Sequence, residues 1–338
     1  MTRIRTAVLA TVSSLAAAAL AIATFALAPP AQAQATSIGH VAATIHVPPM
    51  RFVAVVSGGH WVWLVDADEN SFATVVQIDP VTNTVHRTST LDIAAGGAVT
   101  GYGSLWVSAW NANLVERIDP ATLRVLARIP VGLGPEWLHA AFGAIWVANH
   151  HDHSVMRIDP TTNRVVKTFT VGAIAFRNGP QAITDDGRYL YASSSNQTSL
   201  AKIDPRTNRL QTPIPVPALF CGNLTATGGR LWEVDFCDDS LYSVDPANDA
   251  VTSFGYAPAQ VTDLTTLNGV LWVAKDTTVD PTTGQGTGGG LDARDGTSGA
   301  LLGSVVIGGD VSNISAGFGS LWTYDPGRAT LRRVDTAL

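Results

Sequence analysis

Charge is scarce in this chain. Only 14% of its residues are Asp, Glu, Lys or Arg, and 27 acidic residues against 21 basic ones leave a formal net charge of −6. No run of Lys or Arg occurs, so the electrostatic footprint of a nucleic-acid partner is missing. Cysteine is scarcer: Cys221 and Cys237 stand alone, and no CxxC motif exists. There is no nucleophile elbow and no H-E-x-x-H. The Gly/Thr stretch "DTTVDPTTGQGTGGG", Asp276 to Gly290, is followed neither by Gly-Lys-Ser/Thr nor by a helical pattern, which excludes a phosphate loop. Past Leu27 no segment is apolar for long enough to cross a membrane.

What is present begins with "MTRIRTAVLATVSSLAAAALAIATFALAPPAQAQA". Arg3 and Arg5 precede an Ala/Leu/Val-rich run, and two overlapping A-x-A sites, Ala31–Ala33 and Ala33–Ala35, close it. That order is the order of a secretory signal peptide. It divides the chain into 1–35, a signal peptide, and 36–338, the mature domain, with an uncleaved anchor as the alternative. The expected location is secreted or extracytoplasmic, with no membrane span after cleavage.

The mature segment repeats itself. An Asp after Ile or Val, usually followed by Pro, stands at Asp79, Asp119, Asp159, Asp204 and Asp245, with weaker copies at Asp295 and Asp335. A large aromatic recurs ahead of it at Trp106, Trp146, Tyr191, Trp232, Trp272 and Trp322, while the first unit holds both Trp61 and Trp63. Each unit reads as four short strands. In the third they are "WLHAAFG", "AIWVANH", "SVMRIDP" and "RVVKTFTVG", alternating and rich in β-branched residues, with Gly-containing turns. In the D-P-x-T-N step, Asp caps the following amides, Pro fixes φ, and Asn tolerates the left-handed position. The repeated Asp is therefore structural, and the repeated aromatic packs between sheets.

Four-stranded units of this length arranged about an axis make an all-β, seven-bladed β-propeller. The seventh unit ends a strand short, and "HVAATIHVP", His40 to Pro48, resembles an outer strand. The N-terminal strand is expected to complete blade 7 and close the ring, removing the open edges. Cys221 and Cys237 stand equidistant from Gly229 of the Gly228–Gly229 turn, so they are expected to face each other across a hairpin. In an oxidising compartment they would form a disulfide, with two buried thiols as the alternative.

"LWVSAWNANLVERIDPATLRV" and "IWVANHHDHSVMRIDPTTNRVV" resemble the YVTN-type β-propeller repeat of exported bacterial proteins. That resemblance covers nearly all of the mature segment and implies the propeller fold. The streptogramin B lyases are similar propellers, which use Mg²⁺ to eliminate across a C–O bond. Their repeats favour "WFTE", where this chain has "LWVS", "IWVA", "LWEV" and "LWVA".

Ligands in ring folds sit near the axis. Aligning the innermost strands on the glycine that ends each (Gly59, Gly103, Gly143, Gly187, Gly229, Gly269, Gly319) gives a wholly apolar row five places before it. Six places before it stand Val53, Gly97, Trp137, Gln181, Asn223, Asp263 and Asn313. Side chains alternate along a strand, so this row is expected to face the channel. Trp137, His139, Gln181, Asn223, Asp263 and Asn313 are the candidate ligand-binding residues. Asn223, Asp263 and Asn313 are the candidate oxygen ligands for Ca²⁺ or Mg²⁺, an arrangement similar to that of calcium-dependent propeller lactonases and esterases. His139, four places before its glycine, is the candidate general base. The cluster "HHDH", His150 to His153, is expected to be an exposed loop tip. The Asp276–Gly290 insertion is a floppy loop or a lid.

Three functions stay open: a binding module for a small molecule or an envelope or extracellular partner; a divalent-metal-assisted lyase or lactone/ester hydrolase; and a structural cell-surface protein.

Overall fold

The computed structural model describes residues 38–51, 53–66, 72–172, 179–194, 197–217, 220, 222–236, 238–255, 260–276 and 288–338, and among them every regular element is a strand. Cys221, Cys237 and most of the Asp276–Gly290 insertion lie outside the described residues. No helix long and apolar enough to cross a membrane occurs among those described.

The strands form seven antiparallel sheets, six of four strands and one of five. Blade 3 is typical: Pro135–Ala141, Ala144–Asn149, Ser154–Asp159 and Arg164–Thr170. In blade 4 the outer edge is broken into Arg209–Leu210 and Ile214–Pro215, both paired to Ser199–Asp204. Pro213 falls in the break, where a residue without an N–H cannot continue a ladder. Blade 7 is assembled from both ends of the sequence. Asn313–Gly317, Ser320–Asp325 and Thr330–Thr336 are followed in space by Gly39–His46. Gly39 pairs with Thr336 and His46 with Thr330, so the ring closes within this sheet as the sequence suggests.

The repeated aromatic explains why the sheets stack. Trp63, Trp106, Trp146, Tyr191, Trp232, Trp272 and Trp322 are all essentially buried. At typical burial each contributes on the order of 5 kcal/mol. The blade 1 member is Trp63: its indole N–H donates to Gly58 O, five residues back, as Trp106 donates to Gly101, Trp146 to Ala141 and Trp322 to Gly317.

The D-P turns have a second role that spacing alone does not reveal. Asp79 Oδ1 accepts the Val81 and Thr82 N–H groups, and Asn83 takes φ 56°, as the turn chemistry predicts. The turn's Pro carbonyl is also the target of the preceding blade. Arg117 donates to Pro160 O and Asn163 Oδ1, Arg157 to Pro205 O and Asn208 Oδ1, and Arg333 to Pro80 O across the closure. Arg117, Arg157 and Arg333 lie over their own blade's Trp at 5.0, 5.3 and 5.9 Å. In blade 1 Gln77 replaces the arginine and still reaches Pro120 O at 2.7 Å.

Strand pairing corrects the inner-strand alignment at two blades. The residue opposite the repeated aromatic is Val99, His139, Thr225, Thr265 or Ser315 in blades 2, 3, 5, 6 and 7, four places before the marker glycine in each. In blade 1 it is Val56, because His60, at φ 77°, occupies the turn place that Gly103 fills in blade 2. In blade 4 it is Thr184, because Gly187 lies inside a longer turn between Asp185 and Leu190. The row six places back is therefore Ala54, Gly97, Trp137, Ala182, Asn223, Asp263 and Asn313. Val53 and Gln181 sit one step nearer the strand's start.

Candidate ligand-binding site at the channel mouth

With the register corrected, the inner strands present pairs of consecutive residues at one end of the ring. Ser312–Asn313, Val53–Ala54, Gly96–Gly97 and Glu136–Trp137, from blades 7, 1, 2 and 3, line a cavity of about 340 Å³ together with Arg51. The two glycines keep the wall of blade 2 low. A Cβ on Gly97 would come within 2.6 Å of Glu136 O, so the backbones of blades 2 and 3 approach closely only because that side chain is missing. The Trp137 indole N–H is buried and has no hydrogen-bond partner among the described residues. A buried donor of this kind costs free energy until an acceptor meets it.

The polar residues of blades 5 to 7 do something different. Asp263 is buried, and four N–H groups converge on its carboxylate. Asn223 Nδ2 and Leu264 N donate to Oδ1 at 2.6 and 2.7 Å; Ile314 N and Asn313 Nδ2 donate to Oδ2 at 2.9 and 3.4 Å. Burial nevertheless pushes its pKa up to about 6. Hydrogen bonds join Asn223, Asp263 and Asn313, but both amides turn their NH₂ groups toward the carboxylate rather than their oxygens toward a common point. The trio ties blades 5, 6 and 7 together, and the carboxylate is saturated with donors. Only Asn313 of the three also reaches the cavity. Among the described residues no group of three or more His, Cys, Asp or Glu is placed to hold a metal ion.

His139 does not stand alone. Its Nε2 lies 2.7 Å from Asp185 Oδ2 of the next blade, and both side chains are about one-quarter exposed. Burial raises the Asp185 pKa, but hydrogen bonds from His139 and from Gly187 N–H outweigh it and leave the carboxyl below its usual value. A carboxylate orients the imidazole, as a general base requires. Sequence reasoning did not find Asp185, which stands on a neighbouring blade and two places inside a turn glycine. Gln181 joins neither group; its Oε1 is buried without a partner among the described residues.

The HHDH segment is not a loose tip. His150 N and His151 N donate to Gly134 O and Leu133 O, Asp152 Oδ2 accepts Leu133 N–H, and Asp152 Oδ1 accepts the Ser154 hydroxyl. His153 is buried at φ 56°, and of the four residues only His151 is exposed. These bonds knit the turn to the loop that enters blade 3.

Of the other buried acids, one sits in the second strand of blade 5 with a strongly shifted pKa. This residue, Glu233, accepts Gly222 N–H at 3.2 Å. Burial, with Asp235 nearby, lifts its pKa well above the ordinary carboxylate value.

A family model described as a repeat of unknown function (DUF6923) matches residues 150–262, from the HHDH turn into the inner strand of blade 6. No curated protein matches the chain. Among solved structures, one titled "Streptogramin B lyase structure" is similar with a TM-score of 0.67 over 86% of this chain and 95% of that one, at 14% identity. At that identity the likeness is one of fold.

Proposed function

We propose that this propeller is an exported binding module that takes a small ligand at the mouth of its ring. One observation carries the reading: four adjacent blades contribute paired inner-strand residues to a single cavity, with the unpartnered Trp137 N–H buried in its wall. Concave sites with an aromatic wall and a few convergent polar groups are where small ligands bind. The export half of the reading rests on the basic–apolar–A-x-A order of residues 1–35, with 36–338 as the mature domain. A thermal-shift screen of small molecules against wild type and Trp137→Ala tests the first half. Compounds that raise the wild-type Tm and leave the variant unmoved support it, and a screen with no such compound refutes it. N-terminal sequencing of protein recovered outside the cytoplasm tests the second, with a start just after Ala33 or Ala35 expected.

An enzymatic second reading rests on the oriented His139–Asp185 pair alone. It would be a lyase or a lactone/ester hydrolase with His139 as base. Asp263, committed to four donors, offers no seat for its divalent ion. Turnover of an ester or lactone that His139→Gln abolishes would favour it over the binding module.

A further inference from the structure

Between blades 2 and 3, outward from the mouth, lies a second cavity of about 410 Å³. Trp110 and His151 form its corner, with ring centroids 4.8 Å apart and planes at 71°. Gly134, at φ 61°, lies beneath: a Cβ there would come 2.8 Å from His151 Nδ1, so the imidazole reaches its place only over a glycine. Asn113 Oδ1 accepts Gly134 N–H at 3.0 Å, which fixes the amide with its NH₂ turned the other way.

The two cavities are neighbours. Glu136 lines the mouth, and its Oε2 lies 3.5 Å from His150 Nδ1. The His150 ring is 5.8 Å from Trp110, which lines the outer cavity. One layer of side chains separates them. Among the described residues no acidic or basic side chain other than His151 lines the outer cavity, and the mouth holds one of each sign, Arg51 and Glu136. Neither a phosphate nor a cation finds a field there. An extended peptide would need an open sheet edge; each inner strand leaves one edge unpaired, but the neighbouring backbones crowd it, Gly97 lying so close to Glu136 O that not even a Cβ fits between blades 2 and 3. Each cavity offers an indole, Trp137 in one and Trp110 in the other, with the amides of Asn313, Asn111 and Asn113 and the Ser312 hydroxyl in the walls and Glu136 and His150 between the two. Indole faces pack on apolar C–H surface, and amides pair with hydroxyls, which together suit uncharged sugar rings.

We propose that this face binds a neutral oligosaccharide, with one sugar ring beside Trp137 in the mouth and a later ring against Trp110. The proposal rests on the mouth being a ligand site and adds its class and extent.

Calorimetric titration with β-1,4-linked glucose and N-acetylglucosamine oligomers, from disaccharide to pentasaccharide, tests it. Affinity should rise with length by about tenfold, the equivalent of one good stacking contact. Trp110→Ala should remove that gain while leaving disaccharide binding intact, and Trp110→Phe should restore most of it. Trp137→Ala should weaken every oligomer. Disaccharide binding with no length dependence and no response to Trp110→Ala would overturn the groove and leave the mouth site standing. Binding of a different chemical class through Trp137, with no saccharide binding, would overturn the ligand class alone. A protein that binds no saccharide and no other small molecule loses both readings.

Discussion

Replacing Asp263 by Asn perturbs the junction of three blades at one atom. In the wild type four N–H groups serve two carboxylate oxygens. The amide keeps one acceptor oxygen and turns an NH₂ toward the other pair of donors. Asn223 or Asn313 can rotate its own amide to answer, but the backbone N–H of Leu264 or Ile314 cannot. One buried N–H then lacks an acceptor, at a cost of about 1–3 kcal/mol. Protonation adds a pH dependence that only the wild type has. Its folded pKa of about 6 lies above the ordinary 3.8, so between those values the native state holds a proton that the unfolded chain has released. The stability linked to that proton is fully present below pH 3.8 and is lost as pH rises through 6, about 3 kcal/mol in all. The Asp263→Asn variant carries no such contribution. The wild type's stability relative to the variant should therefore be greatest near pH 4 and fall as pH rises to 7 by most of that ~3 kcal/mol. Urea unfolding of both proteins at pH 4, 5, 6 and 7, at one ionic strength, measures it. A gap that stays constant, or that widens as pH rises, would show Asp263 to be an ordinary carboxylate welcomed by its donors, and the argument from burial would be wrong.

Other consequences are as direct. Deleting residues 36–48 uncovers the edge of Thr330–Thr336 and removes the buried Ile45 and Val47, so the truncated protein should aggregate or lose much of its stability; melting like the 36–338 protein would refute strand exchange as the closure. Arg333→Ala removes the hydrogen bond to Pro80 O and the cation over Trp322, and should cost about 1–3 kcal/mol in urea unfolding, with Arg333→Lys recovering only part of it. Asp79 and Asp159 are half-buried and held below the usual carboxylate range, Asp79 mainly by the N–H groups of Val81 and Thr82 and Asp159 mainly by the Thr161 hydroxyl and N–H. Their contribution should be present at neutral pH and fade as pH falls below 3.8, opposite in sign to that of Asp263, and Asp79→Asn should flatten it. Mass spectrometry of non-reduced peptides from exported protein should find Cys221 joined to Cys237; two free thiols there would refute the pairing.

The fold was legible because its signals repeat. Seven aromatics each bury against a neighbouring sheet and six aspartates each cap a turn, so period alone identifies the ring. Register was harder. A glycine marks a turn and not a strand position, and the marker fails where His60 takes the left-handed place in blade 1 and where blade 4 lengthens its turn. The polar junction was half legible. Proximity of Asn223, Asp263 and Asn313 follows from alignment, but half of Asp263's donors are backbone amides, which every residue except proline carries and no sequence pattern distinguishes. His139 was visible as an isolated imidazole. Its partner Asp185 became apparent only when two blades were set side by side.

The way blade 7 is joined also decides how the ring answers to force. Gly39 and Thr336 are partners at one end of the Gly39–His46 strand's ladder. Tension between the chain upstream of the one and downstream of the other would fall on that single rung, then on the next, and would unzip the strand a pair at a time. A load arriving from one side only would leave the ladder unstressed. A pull between the two ends would therefore open the ring readily.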